Sequence, residues 1–159
     1  MTVIQNIFSP VLQSYSPKNV IITAGVFLIT QWNKVTVKYD EPVWKFDVGC
    51  YGKIVRRKIN NPLGTITIEL PQTAAGNAYN SASATLTDAT LGIDGVIPIL
   101  ITDLWGGSLH VMTKGSIVQK PEVTYDKNPT NRVWIFRGEM DLNVLSTRNA
   151  INSFSSMFR

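Results

Sequence analysis

Leu63-Gly64-Thr65-Ile66-Thr67-Ile68-Glu69-Leu70 is the stretch whose reading decides the fold. In an extended chain Ile66, Ile68 and Leu70 fall on one side and Thr65, Thr67 and Glu69 on the other, the period of two of a strand with one buried face. Val35-Thr36-Val37-Lys38-Tyr39 repeats that alternation. Ile97-Pro98-Ile99-Leu100-Ile101 and Arg132-Val133-Trp134-Ile135-Phe136 are apolar on both sides, which predicts strands covered on both faces. Pro98 has no N–H to give to a ladder, so its strand is expected at a sheet edge or to begin there. Further strands are expected over residues 18–22, 26–30, 43–48, 53–59, 109–113 and 117–125. Turn chemistry at Asn60-Asn61-Pro62, Asp94-Gly95, Trp105-Gly106-Gly107 and Asn128-Pro129 separates them.

One segment has a different period. Residues 73–84 are rich in alanine, and Ala75, Ala78, Tyr79 and Ala82 stand at helical spacing, with Thr73 as the expected N-cap after Pro71. Gly76 and the Ser and Asn residues weaken this helix, so it is expected to depend on packing against a sheet. Composition agrees with a mainly β chain. The 15 Val, 16 Ile and 15 Thr make 46 of 159 residues, and β-branched side chains favour strands. A chain of 159 residues is one domain's worth of protein, and no repeat or linker divides it. The expected organisation is a single domain over 1–159 with extensions at 1–14 and 146–159.

Several functional classes fall away. A lone Cys50 makes no internal disulfide framework, and one His with one Cys cannot supply the mixed ligands of a zinc site. Residues 1–10 lack the basic start and long apolar run of a secretory signal, and the apolar run 20–30 is too short to span a bilayer. A soluble protein made inside the cell is therefore expected. His110 could act as a base, but it lies on an apolar strand with no partner group in the pattern and reads as structural. Cys50 reads as a plain, partly buried thiol. Glu139 and Asp141 share a strand face as paired carboxylates would, and a solvated face accounts for them. Trp105-Gly106-Gly107 lacks the lysine and following helix of a phosphate loop. No catalytic residue, cofactor site or metal site can be named.

Charge is unevenly laid out. Between Ile59 and Thr113 there is no Lys or Arg, while Glu69, Asp88, Asp94 and Asp103 lie there. An acidic middle between basic flanks suggests surfaces of opposite sign that meet between copies of the chain. Arg56-Arg57-Lys58 is the one basic cluster, with Arg56 and Lys58 on one strand face and Arg57 on the other. It reads as a charged edge that blocks stray pairing, as a protein interface, or as a nucleic-acid contact. Tyr39, Trp44, Phe46 and Tyr51 gather around a hairpin-like segment with Pro42 at its bend, either as part of a core or as an exposed anchor.

A family resemblance runs through these residues. Tyr15-Ser16-Pro17-Lys18-Asn19-Val20 is followed by Gly25, by Gly49, Gly52 and Arg56, by Gly64 with Ile66 to Leu70, and by Gln72-Thr73 with Asn77. Pro98, Asp103, Gly106, Ile117, Lys120-Pro121 and Trp134 continue the order. Over roughly 15–145 the chain resembles the tail tube proteins of contractile-tailed bacteriophages. It departs in its alanine-rich helix, where the family carries more Leu, and in 146–159, which has no counterpart.

The resemblance implies a tail-tube-like β-sandwich or barrel with one short flanking helix, and no enzymatic activity or cofactor. It implies hexameric rings whose strands join in one inner barrel, stacked into the tube that conducts the genome. The implied partners are further copies of the chain, the tail sheath protein, the baseplate and tail terminator proteins and, transiently in the lumen, the tape measure protein and viral DNA, with no membrane. The implied location is the virion, after assembly in the bacterial cytoplasm. Related folds serve type VI secretion and contractile bacteriocins. A tail-terminator or baseplate ring component of the same fold and a small nucleic-acid-binding β-barrel are the alternatives.

Three groups of site residues follow. Residues 40–51, with Tyr39, Trp44, Phe46 and Tyr51, are expected to order between stacked rings. Thr65, Thr67 and Glu69 are expected to line the lumen, because a wall that passes a genome quickly should not hold phosphates. Arg56, Arg57 and Lys58 are then expected at a subunit boundary, or Arg56 and Lys58 paired with an acid such as Glu69, since a hairpin from 53–59 to 63–70 would bring them into the barrel.

Overall fold

The computed structural model describes residues 16–89 and 96–144, so the extensions at 1–14 and 146–159 and the Asp94-Gly95 turn lie outside the described residues. Nine strands and one helix follow a short 3-10 turn at Pro17–Asn19: β1 Val20–Ala24, β2 Phe27–Ile29, β3 Lys34–Tyr39, β4 Trp44–Val48, β5 Ile54–Lys58, β6 Leu63–Pro71, α1 Ala75–Ala89, β7 Ile97–Asp103, β8 Leu109–Gln119 and β9 Asn131–Val144. Seven strands form one antiparallel sheet in the order β2-β1-β7-β8-β9-β6-β3. The described residues are mainly β with one helix, in keeping with the composition.

The alternation read in 63–70 is what builds the core. Ile66, Ile68 and Leu70 of β6 are fully buried, and so are Phe136 of β9, Ile22 and Ala24 of β1 and Ile99 of β7. These belong to one cluster although β1 and β6 are four strands apart, so the sheet curls until its two halves face each other. The curl is made at β8 and β9, where the register shifts repeatedly. Gly138 sits at this corner, where an added Cβ would overlap the Lys114 carbonyl oxygen. Only a residue without a side chain lets the two backbones approach so closely.

Several expectations need correction. Residues 53–59 form β5, but it pairs with β4 rather than β6, so Trp44 to Lys58 make a separate two-stranded ribbon. β8 runs unbroken through 109–119 and stops there, so 120–125 is not a strand. Pro121 can donate nothing to a ladder, and the Thr130 hydroxyl ties the loop by donating to the Thr124 carbonyl. β7 is an interior strand despite Pro98, which lies near its start where the β7–β8 register breaks between Ile97 and Ile99. Its outer face is uncovered in the single chain, with Leu100 exposed.

The helix is also rotated from the expected face. Ala75, Ala78 and Ala82 point outward, and Gly76, Asn80 and Ala84 are buried. Asn77 explains the rotation. Its Nδ2 donates to the carbonyls of Pro71 (2.8 Å) and Gln72 (3.3 Å), and its Oδ1 accepts from the Trp134 indole N–H (2.9 Å). Thr73 is not the residue before the helix. Ala74 is, closing a turn on the Pro71 carbonyl at 3.0 Å. Tyr79 stacks on Phe27 with ring centroids 4.7 Å apart, which seats the helix on β2.

Candidate assembly surfaces

Every residue of β4 and β5 is exposed. The ribbon register pairs Trp44 with Lys58, Phe46 with Arg56 and Val48 with Ile54, so these six side chains occupy one face. Trp44 is 41%, Phe46 67% and Ile54 66% exposed. Lys45, Asp47, Val55 and Arg57 take the other face, where Arg57 Nε lies 3.4 Å from Asp47 Oδ2. Arg56 lays its guanidinium 4.0 Å above the Trp44 ring. At the far end Gly49, Cys50, Tyr51 and Gly52 make the turn, which Gly52 permits by adopting φ +76°. Cys50 is exposed there, not partly buried.

The root of the ribbon is held by polar contacts to the main sheet. The Asp40 N–H donates to the Leu63 carbonyl, and the Asp40 carboxylate pairs with Arg137 of β9 and accepts from the Thr65 hydroxyl. Glu41 accepts from the Asn61 side chain and faces Lys45 at 3.8 Å. These contacts set where the ribbon leaves the body, and none of them covers its apolar face.

The structure separates the four aromatics read together in the sequence. Trp44 and Phe46 share the ribbon face, Tyr51 stands in its turn, and Tyr39 ends β3 in the main sheet opposite Gly64. None of the four is buried, so none is core in the single chain. Arg56, Arg57 and Lys58 lie on the ribbon, away from Glu69, and so do not enter the curled sheet.

Thr65, Thr67 and Glu69 are half-buried on the face of β6 opposite the core. Their cross-strand neighbours are Lys38, Thr36 and Lys34 on β3 and Arg137, Ile135 and Val133 on β9. This face is therefore not free of bases. β6 lies in the stretch without Lys or Arg, but both strands beside it come from outside that stretch, and sequence distance hides such neighbours. Arg137 is tied to Asp40, and Lys34 stands opposite Glu69.

Other titratable groups among the described residues take part in ion pairs and turns. Glu139 pairs with Lys114 at 3.4 Å, and Asp103 Oδ1 accepts from the Trp105 N–H at 3.0 Å to close a turn. His110 is half-buried on β8 at an open cleft, and its Nδ1 has no partner. Among the described residues no group of three His, Cys, Asp or Glu side chains could hold a metal ion, and no helix is long and apolar enough to cross a membrane.

Among the described residues a curled antiparallel sheet with one helix carries a separate two-stranded ribbon with an exposed apolar face. The model of the Bacteriophage PhiTE tail tube protein family matches residues 30–144, and the chain belongs to that family. Among solved structures, it is similar to the sheath/tube terminator of the PVC extracellular contractile injection system in its extended state, at 12% identity, TM-score 0.57, and coverage of 85% of this chain and 98% of that one. The sheath-tube complex of that system, also in the extended state, contains a similar chain at 14% identity, TM-score 0.50, and coverage of 84% and 92%. The tube-terminating cap of the anti-feeding prophage is similar at 9% identity, TM-score 0.51, and coverage of 84% and 94%. At these identities the likeness establishes the fold. No curated protein matches the chain.

Proposed function

We propose that this chain is the repeating subunit of the inner tube of a contractile phage tail, forming hexameric rings that stack into the conduit for genome delivery. The observation that carries the reading is the exposed ribbon on a chain of the tail tube family. Two strands alone are marginal in water, and this pair displays exposed large apolar side chains with none of the other described residues packed over them. A second copy of the chain is the natural cover. Trp44, Phe46 and Tyr51 act in this reading as anchors between rings, with Tyr39 at the sheet end beside the ribbon root.

The outer face of β3, β6 and β9 is the lumen wall in this reading, with Thr36, Thr65, Thr67 and Glu69 toward the channel. Arg137 is paired with Asp40 there, which limits the drag that a bare cation exerts on phosphates. Lys34 opposite Glu69 and Lys38 opposite Thr65 are exposed on the same face. The Arg56, Arg57 and Lys58 cluster belongs to contacts between subunits. The sheath surrounds the tube, and terminator and baseplate proteins close its ends.

Negative-stain microscopy of the purified protein tests the proposal. Long hollow tubes with six-fold rings are expected. Single rings select a terminator or baseplate component of the same fold. A chain that stays monomeric by sedimentation at high concentration, with or without a nucleating baseplate, overturns the tube reading.

A further inference from the structure

At the end of the curled sheet where the 3-10 turn enters β1, the core is not closed. Val20, Trp32, Val35 and Val37 pack on the central cluster but stay only half-buried. With Ile101 and His110 they line an open cleft of about 410 Å³. His110 Nδ1 is buried there without a hydrogen-bond partner. Apart from the imidazole, the ionisable lining is Lys34 and Asp103, one of each sign.

These features specify an occupant. A buried nitrogen without a partner costs free energy until a hydrogen bond reaches it, and half-covered Val and Trp side chains gain from apolar cover. A group that meets both needs brings apolar side chains together with amide or backbone groups, which is the chemistry of a polypeptide segment. A volume of this size takes a few side chains, not a domain. Lys34 and Asp103 balance, so the cleft favours no net charge, and a charged occupant would lose hydration on entering.

Residues 1–14 have that chemistry and are attached at the right place. They hold Val3, Ile4, Ile7, Phe8, Val11 and Leu12, with Gln5, Asn6 and Gln13 among them and no charged side chain. They lie outside the described residues, which begin at Ser16, four positions before Val20. The Leu104 N–H donates to the Asn19 carbonyl at 3.0 Å, and Val20 stands opposite Asp103, which fixes the entry point at the cleft. Leu12 is eight positions from Val20 and Phe8 twelve, and each residue reaches up to about 3.3 Å.

We propose that residues 1–14 dock in this cleft of their own chain as a strap. Phe8, Val11 and Leu12 supply the apolar cover, and an amide or backbone group of the segment reaches His110 Nδ1. Attachment beside the cleft gives the strap a local concentration on the order of millimolar, which a free partner must overcome. Residues 146–159 also leave from this end, because Val144 pairs with Leu109, but they bring Arg148 and Arg159. The strap acts in the single chain and does not depend on ring formation.

Crosslinking in the dilute, unassembled chain tests it. In a Cys50→Ser background, which removes the one native thiol, Ser9→Cys is combined with Ser108→Cys or, separately, with Lys34→Cys. A disulfide forms only where Cα atoms come within roughly 7 Å. Mild oxidation should link at least one pair within a monomer, at a rate independent of protein concentration. No link from either pair in folded protein, or links only as dimers, overturns the docking. Linking by Ser153→Cys where Ser9→Cys fails gives the cleft to 146–159 and overturns it too. His110 is the one histidine of the chain, so its acylation by diethyl pyrocarbonate reads the cleft directly. Phe8→Asp with Leu12→Asp should raise that rate several-fold with the far-UV spectrum unchanged. A rate that does not move overturns the inference.

Discussion

Phe136 and Phe46 both sit on antiparallel strands with one apolar face turned the same way along the strand, and their surroundings differ in one respect. Phe136 is fully buried between the facing halves of the curled sheet, whereas Phe46 is 67% exposed on a ribbon with no second layer. Alternation therefore reports that a strand has an apolar face, and it does not report whose surface covers that face. In the main sheet the cover is the same chain. On the ribbon no described residue covers it, and in the proposed tube a second copy does, so one pattern would serve folding in one place and assembly in the other.

Equal substitutions in the two regions should break this comparison if it is wrong. Phe136→Ala should cost about 3–5 kcal/mol in thermal or urea unfolding. Phe46→Ala and Trp44→Ala should leave stability within about 0.5 kcal/mol and abolish tube formation in micrographs. Loss of the fold in Trp44→Ala would instead make the ribbon part of the core. The next effect belongs to the helix junction. Asn77→Ala strands the Trp134 N–H and the carbonyls of Pro71 and Gln72, and should cost about 1–3 kcal/mol by the same measurement.

Smaller effects sharpen the contrast. Arg56→Ala removes the cation over the Trp44 ring, an exposed contact worth about 0.5–1 kcal/mol, and should change assembly more than unfolding. Asp40→Asn breaks the pair with Arg137 at the ribbon root and should cost roughly 0–1 kcal/mol, a difference that shrinks further as salt is raised.

Much of the main sheet was legible because its signal is local. Residues 63–70 and 35–39 show their faces within a single strand, and both are strands with those faces turned as read. What stayed hidden depends on neighbours distant in sequence. The outward turn of Ala75, Ala78 and Ala82 is set by Asn77 holding Trp134, 57 positions away, and no helical period contains that bond. The partner of β5 was misread because strand character in 53–59 is the same whether it pairs with β4 or β6. The candidate surfaces stood out as aromatic and basic residues, yet which of them share a face came only from the register. Lys34, Lys38 and Arg137 beside Thr65 and Glu69 could not be seen from a stretch that contains no base.

The long strand β9 has a mechanical consequence. Ile135, Phe136 and Arg137 are in register with β6 on one side and with β8 on the other, so both halves of the curled sheet share the same three residues. A load applied to either half passes to the other through the two hydrogen-bonded ladders on the flanks of this strand. It does not have to cross a seam of side chains that could slide. The halves part at whichever of the strand's two hydrogen-bonded ladders is the weaker, β8–β9 with its register shifts or the unbroken β6–β9. In the proposed tube, push or torque on one half of a subunit would therefore reach the other half through this one strand.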